Sequence, residues 1–309
     1  MFSEAQNFAI VQTELDAVFF QTWDSQDNFP GHFTANTGEI FKPITTTHAA
    51  YIEEVYKGVG LFPIIGEVQT VPQSTPHVTN KMVTYVKDFA QGISLSKNLF
   101  DDNMFGVWSR TVQDLALMAK ITQDVNATKI FRNAFTTTLT ADGVSWINAA
   151  HPLIGGGTQS NIVTGALTPA TLNNAIVSLR QQKNQAGVVL GCTPAYLVVP
   201  TQLWKHASEI LDSALAADGS NNNLNVYRSM LGITLYTSPY LDAVSGGSDT
   251  YWFLMARNHS VTRLIRQGIQ TALRDWSMSD NRSYFYQANF REEVYVVDYS
   301  GAVASLGTS

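Results

Sequence analysis

Between about Ser96 and Phe135, apolar or small residues recur at Phe105, Trp108, Val112, Leu115, Ala119, Thr122, Asn126 and Ile130. The steps alternate between three and four residues, the period of a helix with one preferred face. The last members are more polar, so the stripe weakens towards its C-terminal end. A thinner stripe at Leu117, Ile121 and Val125 turns a second side towards protein. Asp101 and Asp102 stand near the start and Lys129 and Arg132 near the end, the order a helix dipole favours. No proline interrupts the run. The pattern predicts one helix of roughly 30 residues, about 45 Å long at ~1.5 Å per residue. That is far above the mean of about 11–12 residues in globular proteins. Such a helix is either a long core helix of an enzyme or a spine crossing an extended subunit.

The flanking segments carry shorter patterns. Phe8, Val11, Leu15, Val18 and Phe19 give an apolar face to a helix over Glu4 to Trp23, which stops at Pro30-Gly31. This piece is either an arm that packs on something else or a terminal helix covering its own domain. Residues 34–95 show helical period only near Ala49 to Tyr56. Extended runs at Gly66–Val71 and Lys81–Phe89 flank a linker with Pro72 and Pro76, and Val83, Tyr85 and Phe89 alternate with polar positions. This predicts a long hairpin with a loose tip. A two-stranded ribbon is marginal alone in water, so one that projects needs a neighbour to lie on.

Beyond the long helix, Thr168 and Pro169 read as the N-cap and first position of a helix with Leu172, Ala175, Ile176 and Leu179 on its apolar face. Ala195–Pro200 reads as a buried strand. Thr201 is expected to cap a following helix that turns Leu203, Trp204, Ala207, Ile210 and Leu211 inward. Strands are expected at Ile233–Thr237 and Trp252–Ala256. The C-terminal region from Val261 to Val303 turns β-rich. It sets Tyr284, Tyr286, Ala288 and Phe290 on one face and continues the alternation through Tyr295, Val297 and Tyr299.

Composition narrows the class. Of 309 residues, 45% are hydrophobic, enough for a sizeable core, and only 14% are charged, against a norm of about 25%. Asn, Thr, Ser and Gln fill the gap, and a surface of that kind suits extensive protein–protein contact. The net charge of -6 argues against a chain that grips nucleic acid through an overall basic field. One cysteine, Cys192, excludes a disulfide within the chain and reads as a packed thiol. The N-terminus has no basic n-region of a signal peptide, and no apolar run reaches the ~18 residues of a membrane helix.

Candidate chemistry is sparse. His32, His48, His77, His151, His206 and His259 do not stand at metal spacing with one another or with Cys192. There is no Gly-x-Ser-x-Gly elbow. Gly155–Gly157 lacks the context of a phosphate loop and reads as a surface turn, and Asp218, Ser220 and Asn222 lack the glycine and glutamate of a calcium loop. His151, in a turn-rich loop with Asp142-Gly143, reads as a hydrogen-bonding group. Glu292 and Glu293 are strand neighbours that point apart. Glu53 and Glu54 read as a solvated face, and Arg257, Arg263, Arg266 and Arg274 as scattered surface charge.

In this order the elements resemble the major capsid (major head) proteins of tailed bacteriophages, of the Mu-type head-subunit group. The resemblance rests on the long helix at 98–135, on ADGVSWINAAHPLIGGGTQSN (141–161), on LTPATLNNAIVSLRQQKNQAGVVL (167–190) and on PAYLVVPTQLWKHASEIL (194–211). It covers about residues 60–300. It implies the α+β tailed-phage capsid fold. The parts would be an N-terminal arm (1–33), an extended β-hairpin loop lying over a neighbouring subunit (34–95), a peripheral domain with the spine helix (96–165), an axial α/β domain (166–260) and strands closing the peripheral domain (261–309). It implies pentamers and hexamers of an icosahedral head around packaged double-stranded DNA, assembled in the host cytoplasm and ending in the virion. Scaffolding, portal and decoration proteins are the further partners implied. No cofactor, metal, membrane or catalytic residue is expected. Many relatives carry a long N-terminal scaffolding segment, whereas this chain reaches the ribbon soon after Met1, so scaffolding is expected to be separate or dispensed with. Two other readings are a nanocompartment shell enclosing cargo enzymes, and a soluble α/β enzyme with a site near the glycine loop.

Overall fold

The computed structural model describes residues 4–25, 31–56, 58, 60–67, 69–73, 78–98, 105–154, 156–213, 227, 232–275 and 283–307. The long helix is present as α2, Phe105–Arg132, preceded by α1 at Glu4–Trp23. Asp101 and Asp102, expected at its start, lie outside the described residues, and Lys129 and Arg132 occupy its last turn. Trp108, Val112, Leu115 and Ile130 of the predicted stripe are buried. Two expectations fail here. Leu117 is 46% exposed, so the second stripe is not covered along its length. The C-terminal half, where the stripe turns polar, is the more deeply buried half: Gln123, Asp124, Asn126, Thr128 and Phe131 are all inside. Polar side chains survive there because several are bonded. Asp124 Oδ1 accepts from the Ala35 N–H at 2.6 Å, and the Thr128 hydroxyl donates to the Asp124 carbonyl at 2.8 Å.

Two four-stranded sheets flank this helix. The first runs in the order β1 (Lys42–Thr45), β10 (Val261–Arg274), β11 (Ser283–Val296), β4 (Lys87–Ser96), parallel at β1/β10 and antiparallel elsewhere. The second runs β12 (Ala302–Ser305), β9 (Trp252–Ala256), β7 (Pro194–Pro200), β8 (Thr234–Ser238), and β5 (His151–Pro152) pairs with β6 (Thr158–Gln159) in the stretch after the helix. β7 and β9 are buried at every position, which is why they read as unbroken apolar runs. On one face of this sheet lie α3 (Pro169–Arg180) and α4 (Trp204–Asp212), through Leu172, Leu179, Ala207 and Ile210 among others. On the other lies the end of α2. Phe131 meets Phe33, Phe41, Trp146 and Phe253 at ring separations of 5.2–6.1 Å, and the same cluster takes in Val294 and Val296 of the first sheet.

Helix α3 starts as expected. The Thr168 hydroxyl accepts from Thr171 N–H at 3.1 Å, and the Thr171 hydroxyl accepts from Thr168 N–H at 2.9 Å, closing a capping box. Thr201 is not a cap. Residues Thr201–Leu203 form a 3-10 turn, α4 begins at Trp204 without a side-chain cap, and Thr201 N–H donates to Asp242 Oδ1 at 2.7 Å. The closing strands divide between the sheets: β10 and β11 join the first, β12 the second.

The hairpin keeps one of its two expected strands: Lys81–Phe89 is extended, divided between the ribbon and β4, while Gly66–Val71 is replaced. Its partners are β2 (Ala50–Tyr56) and β3 (Val78–Tyr85), with Ile52 opposite Val83 and Glu53 opposite Met82. The stretch expected to carry helical period is thus a strand. Tyr51 and Val55 fall on one face and Ile52 and Tyr56 on the other, and cross-strand pairing decides the outcome. The described part of Gly66–Val71 forms no strand. β4 continues past the ribbon into the first sheet.

Of the two readings open for the N-terminal helix, the single chain takes the second. Val11, Leu15 and Phe19 are buried against Trp108, Val112 and Tyr286, and Asp16 accepts hydrogen bonds from the hydroxyls of Tyr286 and Thr271, each at 2.7 Å. Phe19→Ala is therefore expected to cost the isolated subunit about 3–5 kcal/mol, measured by denaturant unfolding. A change below about 1 kcal/mol would mean that α1 leaves this seat in solution.

Candidate assembly surfaces

The ribbon β2–β3 has two unequal faces. Tyr51, Val55 and Met82 turn inward onto Leu264, Tyr295 and Val297, and the Tyr295 hydroxyl donates to Glu53 Oε2 at 2.7 Å. The outward face carries Ile52, Tyr56, Val83 and Tyr85 at 58, 56, 45 and 71% exposure. Glu54 on that face pairs with Lys81 at 3.0 Å, so the two adjacent glutamates point apart and only Glu54 matches the solvated reading. Beyond the ribbon, Leu61, Phe62, Ile64 and Val71 stand 81, 92, 100 and 65% exposed. Single exposed apolar residues are ordinary on a protein surface, but a run of this kind marks a contact surface.

Two of the candidate chemical residues, His151 and Cys192, are buried. His151 is fully buried. Its Nδ1 lies 2.7 Å from Asp142 Oδ2 and its Nε2 3.2 Å from Asn161 Oδ1, with the ring stacked on Tyr299. Burial works against the Asp142 carboxylate, but hydrogen bonds from His151, Thr140 and Val144 hold it below its ordinary range. Cys192 is buried, and burial raises its thiol pKa, as expected of a packed side chain. Among the described residues no group of three His, Cys, Asp or Glu gathers as a metal site, and Asp218, Ser220 and Asn222 lie outside them. No described helix is long and apolar enough to cross a membrane.

Arg263 is not surface charge. It is 4% exposed, and its Nε and Nη2 donate to Glu292 Oε2 at 3.0 and 2.5 Å while Nη1 donates to the Ala35 carbonyl at 3.0 Å. Glu292 and Asp124 flank this one guanidinium, and burial raises both carboxyls above their usual range. Glu293, on the opposite face as expected, pairs with Lys87 at 2.5 Å. Sequence spacing carried no signal for this network, since its members come from four separate segments.

The model of a family described as phage capsid protein matches residues 79–305, about three quarters of the chain. The chain belongs to the phage capsid protein family. It is a structural subunit of a capsid shell. The family match does not single out the Mu-type group. No curated protein matches this capsid chain. Among solved structures it is similar to the mature capsid of bacteriophage PhiM1 (12% identity, TM-score 0.56, covering 91% of this chain and 89% of the other). It is similar also to the capsid of cyanophage Pam1 (12%, 0.54, 91% and 96%) and to a virus-like particle from Pyrococcus furiosus (7%, 0.55, 95% and 98%). These likenesses establish the α+β capsid fold.

Within the capsid chain, one buried histidine is expected to weaken the fold in acid. His259 Nε2 donates to the Glu39 carbonyl at 2.9 Å and Nδ1 accepts from Val261 N–H at 3.2 Å, so the ring is held neutral. Burial, followed by the nearby Lys42 charge, lowers its pKa to about 4. A histidine lowered on folding stabilises the fold fully above its unfolded pKa of ~6.5 and loses that contribution as pH falls towards 4. The subunit is expected to lose up to about 3 kcal/mol over that window from this group. Unfolding curves of His259→Gln against pH should be flatter there. An unchanged pH slope would assign the loss to other groups.

Proposed function

We propose that this subunit forms pentamers and hexamers of an icosahedral phage head around double-stranded DNA, and that it acts through its surfaces without turning over a substrate. The carrying observation is the ribbon and the run beyond it. They leave apolar side chains uncovered in a chain with few charges, as a subunit does when a neighbour completes its surface. In this reading α2 and the first sheet are the spine and body of the peripheral domain. The second sheet with α3 and α4 is the axial domain at the five-fold and six-fold axes. The extended loop lies over the next subunit, and α1 stays on its own. Several modest contacts per subunit add by multivalency, so none need be tight alone. Scaffolding, portal and decoration proteins are the partners this assembly would use.

The likeness to the Pyrococcus furiosus virus-like particle, over nearly the full length of both chains, favours a second reading: a shell without a viral genome. Light scattering and negative-stain microscopy of the protein purified from expressing cells test both. Closed particles holding nuclease-protected DNA support the head. Closed particles free of nucleic acid support the compartment. A chain that stays monomeric even when co-expressed with the neighbouring head genes would count against either shell.

A further inference from the structure

Two buried acceptors in the network around Arg263 have no donor among the described residues. Glu292 is 1% and Gln123 4% exposed. Gln123 Nε2 donates to Glu292 Oε2 at 3.3 Å, and that same oxygen takes both bonds from Arg263 Nε and Nη2. The other oxygen of each side chain, Glu292 Oε1 and Gln123 Oε1, is buried and unpartnered. Turning the amide round gives no relief, because its oxygen would then face Glu292 Oε2. A carboxylate offers only acceptors, whereas the neutral acid has one O–H donor. A proton on Glu292 Oε1 therefore converts two unmet acceptors into one hydrogen bond. It completes the paired contact in which an amide and a carboxylic acid each give and take one bond.

The charge balance points the same way. Asp124 from α2 and Glu292 from β11 share the single guanidinium of Arg263 from β10. His32 and Lys120 lie on the Asp124 side, while Glu293 and Lys87 pair on the opposite face of β11. Asp124 Oδ1 already has its donor, the Ala35 N–H, so Glu292 is the carboxyl with an unmet oxygen. Burial raises the Glu292 carboxyl; Arg263 opposes this, and Asp124 and Glu293 add to it. We propose that Glu292 is a neutral acid in the folded subunit, that its Oε1–H donates to Gln123 Oε1, and that this proton controls the clasp on Ala35 and Asn36. Arg263 Nη1 holds the Ala35 carbonyl and Asn36 Oδ1. Without the proton two carboxylates compete for that guanidinium, and the segment after α1 loosens. A carboxyl raised on folding stabilises fully below its unfolded value of ~4.3 and loses that contribution as pH rises through its folded value. His259 has the opposite sign, so the two groups separate in a pH series.

Infrared spectra of the full chain, as subunit or particle, test the protonation. The carbonyl stretch of a protonated acid should be present at about pH 5, fade as pH rises and be missing from Glu292→Gln. Absence of the band from the unmutated chain, as a carboxylate completed by a bound water would give, overturns the proposal. A band unchanged in Glu292→Gln belongs to Asp124 or Asp298, both also raised by burial, and overturns it too. The variant itself should fold, because its amide donates to Gln123 and accepts from Arg263 as the neutral acid does. A variant that does not fold counts against the proposal. Hydrogen exchange of the peptide around Ala35, corrected for the intrinsic rate, reads the clasp. Its opening constant should rise about tenfold per pH unit once the proton leaves, and stay flat in Glu292→Gln. Equal slopes in the two chains would refute the control of the clasp.

Discussion

Phe131 is where the molecule is held together. It lies near the end of α2, and its ring touches the segment after α1, the loop after α2 and the second sheet, within a cluster that extends into the first. Such edge-on aromatic contacts add about 0.5–1.5 kcal/mol each beyond the area they bury. The length of α2 then has a reason. One end packs with α1 on the first sheet and the other reaches the junction of the two sheets, so one rigid rod sets their spacing. The Arg263–Glu292–Asp124 network sits on the same half of the helix and fixes the chain at Ala35 by two backbone hydrogen bonds. A buried charge group of this kind contributes little net stability. Its effect is to define where the segment after α1 crosses the helix.

Much of this was legible in the sequence, for identifiable reasons. The capping pair Thr168 and Pro169, the unbroken apolar run of Ala195–Pro200 and the alternation from Tyr284 to Phe290 are local patterns, and local patterns survive folding. The failures share a cause as well. Ala50–Tyr56 became a strand because Val78–Tyr85 lies across from it, and pairing between distant segments leaves no trace in a short window. Arg263 was read as surface charge because its carboxylate partner lies about thirty residues away on the adjacent strand. The polar end of α2 looked weak because a buried polar residue and a surface one are the same letter until their hydrogen-bond partners are known.

The surfaces were legible in outline only. The low share of charge said that much of this subunit would be covered by something, and the proline-bearing run between the ribbon's strands said where the chain would be loose. Neither said which face would stay bare. That follows from the ribbon's register, which puts Tyr51 and Val55 on the body of the protein and leaves Ile52 and Tyr85 outside. In a capsid the solvent-facing half of such a ribbon is the half that another subunit can use.

The order in which the chain visits its sheets has a mechanical consequence. After β9 in the second sheet it passes through residues 257–260 into β10 of the first, and after β11 it returns through residues 297–301 to β12 of the second. These two short straps touch: a side-chain carbon placed on Gly301 would lie 2.8 Å from the His259 Cα. A force drawing the sheets apart therefore loads covalent backbone on both passes before it peels side chains from one another. In the wall of a shell, tension across such a subunit would run along its own chain at both passes.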